Sequence, residues 1–88
     1  MIIDDEPVVR DGLKTIIDWE SYGYSLCGEG TDGFDGLEKM KRLDPDLVIV
    51  DIKMPGMDGL EFIRQAKEKG YKAKFVLLTG YSDFKYTK

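Results

Sequence analysis

Leu47-Val48-Ile49-Val50-Asp51-Ile52-Lys53-Met54-Pro55-Gly56-Met57-Asp58-Gly59 is the stretch from which the fold is read. Four consecutive apolar residues, three of them β-branched, describe a strand buried on both faces. A carboxylate ends the run, and Pro55, Gly56 and Gly59 punctuate a loop behind it. Asp51 therefore sits at a strand tip. In an open α/β sheet, ligands bind outside the carboxyl ends of the strands, so a charged residue there is a candidate for chemistry. By itself, Asp51 reads equally well as an Asp that caps a turn through its own local hydrogen bonds.

Downstream, Met57-Asp58-Gly59 leads into a helix from about Gly59 to Lys69, with Leu60, Ile63 and Ala66 facing inward and Gly70 as its stop. Phe75-Val76-Leu77-Leu78 is a second continuous apolar run, and Thr79-Gly80 ends it with another polar side chain at a strand tip. Tyr81 to Lys88 reads as a loop, with the start of a fourth helix at Ser82 or Asp83.

Upstream, Thr31 or Asp32 caps a helix that carries Phe34, Leu37, Met40 and Leu43 on one face and stops at Asp44-Pro45. Before it, Tyr24-Ser25-Leu26-Cys27 alternates loosely, as a short edge strand does, and Trp19 to Gly23 is a connector. The first helix runs from about Pro7 to Asp18, with Val9, Leu13, Ile16 and Ile17 as its buried stripe. Ahead of that helix, Met1 to Ile3 is a very short apolar strand ending in Asp4-Asp5-Glu6. Acids suit the start of a helix, and for Glu6 that preference is explanation enough.

The order strand-helix repeated, ending on a strand, predicts an α/β fold with a doubly wound parallel sheet. If the alternating segment is the edge and the two continuous runs are interior, the strand order is 2-1-3-4, reversing between strands 1 and 3.

Composition narrows the function. The 88 residues make one domain, and 42% hydrophobic content supports a small core. With 17 acidic against 13 basic residues the net charge is −4, and the cations are scattered, which argues against direct nucleic-acid binding by this segment. The lone Cys27 reads as a buried thiol, in keeping with a reducing cytoplasm. The sequence shows no signal peptide and no run apolar enough to cross a bilayer. There is no histidine, so His-based triads, His metal clusters and a phosphohistidine donor are excluded.

The reversal point brings Asp4 and Asp5 beside Asp51. Three carboxylates in one cleft repel each other unless some are protonated or a cation lies among them. The donors are all oxygen, which suits a hard divalent ion such as Mg²⁺. A carboxylate beside such an ion is a competent nucleophile toward phosphorus, and Thr79, one strand over, is placed to hydrogen-bond the phosphoryl group.

Ile2-Ile3-Asp4-Asp5-Glu6-Pro7, Pro45 to Gly59 and Leu77-Leu78-Thr79-Gly80-Tyr81 resemble the receiver domains of two-component response regulators, whose fold is flavodoxin-like. Gly12 to Glu20 and Gly80 to Phe84 resemble, more narrowly, receivers joined to AraC-type DNA-binding domains. The resemblance covers the whole chain and implies that Asp51 accepts a phosphoryl group from a sensor histidine kinase. It implies Asp5 as a direct Mg²⁺ ligand, Asp4 as acting mostly through a coordinated water, and the Lys53 backbone carbonyl as a further ligand. It makes Thr79 the switch hydroxyl and gives Pro55 and Gly59 a geometric role.

On this reading residues 1–88 form a receiver clipped in its first strand and lacking the family's fifth strand and fifth helix. Such a chain is expected to self-associate through the fourth strand's edge or by exchange of segments, or to be the ordered remnant of a longer polypeptide. It would be a phosphoacceptor regulatory domain rather than an enzyme, assisting only its own modification, with DNA reached through an output domain. The alternatives are a Mg²⁺-dependent phosphatase or phosphotransferase with an aspartyl nucleophile, and an interaction module that is not phosphorylated. The haloacid dehalogenase type of such enzymes carries a second Asp two residues after the nucleophile, where this chain has Lys53.

Overall fold

Strand β3 (Leu47–Asp51) lies inside a four-stranded parallel sheet in the computed structural model, which describes residues 1–79. It pairs with β1 (Ile2–Ile3) on one side and β4 (Lys74–Leu78) on the other, and β2 (Glu29–Gly30) lies beyond β1, giving the order β2-β1-β3-β4. This is the doubly wound sheet expected from the sequence. Helices α1 (Pro7–Ile16), α2 (Gly33–Leu43) and α3 (Gly59–Glu68) make the crossovers, with a 3₁₀ turn at Trp19–Tyr22 after the first. The segment from Gly80 onward, including the helix start expected at Ser82 or Asp83, lies outside the described residues.

The register explains the burial. Ile3, Val50 and Leu77 stand in one cross-strand row, and Ile2, Ile49 and Val76 in the next. Side chains alternate between faces along a strand, so the rows point to opposite sides of the sheet. The first row joins Val48, Met40, Phe62 and Ala66 in the main core, against which Phe75, Leu37 and Ile63 also pack. Phe62 is fully buried and meets Phe75 edge to face, with centroids 6.2 Å apart and planes at 75°. Burying one such ring contributes about 1.5–3 kcal/mol. Helix α1 packs on β1 and supplies nothing to that core. None of its residues is fully buried.

Several sequence expectations are corrected by the packing. The second strand is Glu29–Gly30, not Tyr24 to Cys27, and Cys27 is exposed rather than buried. The cause is the close approach of α2. A β-carbon on Gly30 would lie 3.1 Å from Ile3 and 3.2 Å from the backbone of Gly36, so the strand forms where the bare backbone of Gly30 leaves room for the helix.

The inward stripe of α2 is Gly33, Gly36 and Met40, and that of α3 is Gly59, Phe62 and Ala66. Phe34 and Leu60, assigned inward from periodicity, are 60% and 57% exposed, and Leu43 is also exposed. Each helix rests on its small residues and is rotated accordingly. Helix α1 stops at Ile16 instead of Asp18. Ile17 is already extended, Ile16 is exposed, and the Trp19 indole N–H folds back to donate to the Leu13 carbonyl at 3.1 Å, fastening the last turn.

Candidate functional site

The β1–β3 ladder carries two acids past its last paired rung. Ile3 is partnered by Val50, so Asp4 and Asp51 come next on adjacent strands, at the carboxyl edge of the sheet. Asp51 is the last residue of β3 and is itself paired with Leu78 of β4. Thr79 is one step beyond Leu78 and exposed, at the neighbouring tip. The pairing of 47–51 with 74–78 and of β1 with β3 thus brings the tips at Asp4, Asp51 and Thr79 to one edge.

Asp4 is buried, with 2% of its surface exposed, and its Oδ1 accepts the Glu6 backbone N–H at 2.8 Å. Burial raises its pKa above the usual carboxylate value, and the nearby Asp5 and Glu6 carboxylates act in the same direction, while the Glu6 N–H opposes them. Asp5 and Glu6 are exposed. Carboxylate oxygens of Asp4, Asp5 and Glu6 lie within 4.8 Å of one another, a group of three among the described residues that does not include Asp51. Glu6 is the member that sequence reading passed over as a helix starter. It does stand at the N-cap of α1, yet its side chain makes no capping hydrogen bond.

Lys53 is exposed and follows β3 by two residues, with its backbone N–H 3.4 Å from Asp51 Oδ1. The loop then runs to α3, where Asp58 Oδ1 accepts the Glu61 N–H at 2.8 Å as an N-cap. Gly59 donates its N–H to the Ile52 carbonyl at 2.9 Å, closing the loop back onto the strand. Met54 and Met57 are buried beneath it.

Two further residues of this edge escaped the sequence reading. Arg10 of α1 donates from Nη1 to the Asp4 carbonyl at 2.5 Å and from Nε to Glu29 Oε1 at 3.0 Å. Spacing alone signals neither contact, because Glu29 belongs to the strand that local pattern misplaced.

The donor set fits a hard divalent cation. Every side-chain donor is a carboxylate, and one of the three is buried beside the other two, where charge compensation is worth most.

The chain matches the family model described as response regulator receiver domain over residues 1–88. It is 42% identical over 88 residues to the uncharacterized transcriptional regulatory protein YesN of Bacillus subtilis (strain 168), covering 100% of this chain and 24% of that protein. The chain thus spans about a quarter of the length of that curated relative. Among solved structures, the REC domain of AraT, a response regulator from Geobacillus stearothermophilus, superposes with a TM-score of 0.87 at 37% identity, over 98% of this chain and 67% of that one. Response regulator protein TrrA from Thermotoga maritima, in complex with Mg(2+)-BeF, gives 0.78 at 38% identity, over 97% of this chain and 71% of that one.

Proposed function

The chain belongs to the response regulator receiver domains, the phosphoacceptor domains of two-component systems, and we propose that its phosphoacceptor is Asp51, served by a sensor histidine kinase. The observation that carries this is the Ile3–Val50 pairing, which sets the Asp51 tip next to the buried Asp4 at the carboxyl edge of the sheet. Asp4, Asp5, Asp51 and the Lys53 carbonyl would hold Mg²⁺, which supplies charge neutralisation on the phosphoryl oxygens when bound.

An Asp51 carboxylate oxygen attacks the phosphorus of the donor phosphohistidine. A P–O bond forms, the P–N bond breaks, and the imidazole nitrogen takes the departing electron pair and a proton. Thr79 offers its hydroxyl to the phosphoryl group from the neighbouring strand tip and reports it to the residues that follow. The domain is regulatory, and the chemistry it assists is its own phosphorylation and hydrolysis. No described helix is long and apolar enough to cross a membrane. Transcriptional output, and DNA contact with it, would come from the part of the protein that its longer relatives carry beyond this segment.

Acetyl phosphate with Mg²⁺, followed by intact mass, tests this. One phosphoryl group is expected, removable by hydroxylamine as an acyl phosphate is, and absent in Asp51→Asn. Asp46→Asn, at the exposed opposite end of β3, is expected to leave it in place. Label that survives hydroxylamine would put the modification on a hydroxyl and overturn the aspartyl assignment.

A further inference from the structure

We propose that Arg10 is a positioning residue for the acidic cluster: anchored by Glu29, it holds the Asp4 main-chain carbonyl and with it the orientation of Asp5. This rests on the reading above, in which Asp4 and Asp5 hold a divalent cation.

The β1–β2 ladder runs out beside Asp4. Ile2 donates to the Gly28 carbonyl at 3.2 Å and Asp4 donates to the Gly30 carbonyl at 3.1 Å. In a parallel ladder the N–H and C=O of one residue face the same neighbouring strand, so the Asp4 carbonyl also points toward β2. Yet β2 ends at Gly30, and by Asp32 the chain has turned to cap α2. No further strand rung follows to meet the Asp4 carbonyl. The Arg10 guanidinium supplies the donor in its place, 2.5 Å away.

Arg10 is not a loose surface cation. Its side chain is 13% exposed, and its Nε is fixed on Glu29 Oε1. Glu29 is fixed in turn, since its Oε2 accepts from Lys14 Nζ at 2.8 Å and its main-chain carbonyl from Lys39 Nζ at 2.5 Å. Cations around that carboxylate hold its pKa below the usual glutamate value, so it stays an anion at neutral pH. One planar fork thus spans from a clamped carboxylate to the Asp4–Asp5 peptide. A lysine carries its three donors on one nitrogen and does not reproduce the separation between Nε and Nη1 in the fork. Because a peptide unit is planar, fixing the Asp4 carbonyl also fixes the plane that leads into Asp5.

Charge and position predict opposite signs here. A guanidinium repels a divalent cation, so if Arg10 acted only through its charge, its removal would tighten Mg²⁺ binding, and Arg10→Lys would change nothing. As a positioning residue, its loss in either variant weakens binding, roughly tenfold or more by analogy with other outer partners of metal ligands.

The experiment is an amide NMR titration with MgCl₂ on the full chain, for wild type, Asp5→Asn, Arg10→Met and Arg10→Lys. Expected are loss of affinity in Asp5→Asn and a roughly tenfold or greater loss in both Arg10 variants. In magnesium-free buffer, shifted Asp5 and Glu6 amides are expected in the Arg10 variants. If Arg10→Met does not fold, Arg10→Lys carries the same test. Wild-type or tighter binding in the Arg10 variants, with loss in Asp5→Asn, overturns the positioning role and leaves the functional reading intact. Equal binding by wild type and Asp5→Asn overturns both, because no ion is then held by the cluster.

Discussion

Gly59 lies against the main-chain carbonyl of Asp51 so closely that a β-carbon at position 59 would overlap that oxygen, and it would also come within 2.8 Å of Leu77 Cδ1. The first residue of α3 is thereby in contact with the backbone of the proposed phosphoacceptor. Gly59→Ala should therefore act on both stability and chemistry. Backbone cannot step aside as a side-chain end can, so a loss of about 1–3 kcal/mol is expected in urea unfolding, as for other overpacked sites. Phosphorylation by acetyl phosphate should slow in the folded fraction. An alanine variant equal to wild type in both would show that the loop yields freely.

Asp4 sits buried among carboxylates, and its negative charge is held there at a cost when no cation accompanies it. Asp4→Asn keeps an oxygen for the Glu6 N–H and removes the charge. The variant is expected to be more resistant to urea than wild type in magnesium-free buffer, by about 1 kcal/mol. Added MgCl₂ should stabilise wild type more than the variant, because only an ion bound to the folded state shifts the equilibrium. A less stable variant without Mg²⁺ would contradict the charge argument.

Acid should weaken the α1–β2 connection through Glu29. Lys14 first, and Arg10 with it, hold its folded pKa below the ordinary value of 4.5. A carboxyl with a depressed folded pKa contributes stability that is present above the unfolded pKa and is lost as pH falls through the folded one. Urea midpoints of wild type are thus expected to drop as pH falls below 4.5. Glu29→Gln should start lower at neutral pH and fall less steeply over that interval. Parallel pH profiles for the two proteins would remove Glu29 from the acid response.

Asp58 caps α3 through the Glu61 N–H. Asp58→Ala is expected to cost about 1 kcal/mol, the usual loss for an N-cap acid. Because α3 brings Gly59 to Asp51, hydrogen exchange should quicken first at the N–H groups of its opening turn. Protection unchanged at Glu61 would show that the cap is not needed there.

Where residues depended on their own neighbours in sequence, the sequence alone settled the outcome. The runs Leu47–Val50 and Phe75–Leu78 are apolar on both faces, so they became paired strands: Val48, Ile49 and Val50 are buried, and Phe75 and Leu77 pack partly buried against the core. Asp51 after the first run, Thr79 after the second and Asp4 after Met1–Ile3 had only the carboxyl edge to occupy. The strand order followed from the same patterns. What the sequence did not settle was decided by contact between distant segments. Glu29-Gly30 has no strand pattern of its own, and becomes a strand where Gly36 of α2 approaches Gly30. Phe34 and Leu60 lie on apolar stripes by count, and face solvent because Gly33, Gly36 and Gly59 are the residues that let their helices approach the structure beneath. Arg10 carries no local signal at all. Its role appears only when β2 ends one rung too early and leaves the Asp4 carbonyl needing a donor, since a main-chain group away from water must be paired and only the folded chain shows by what.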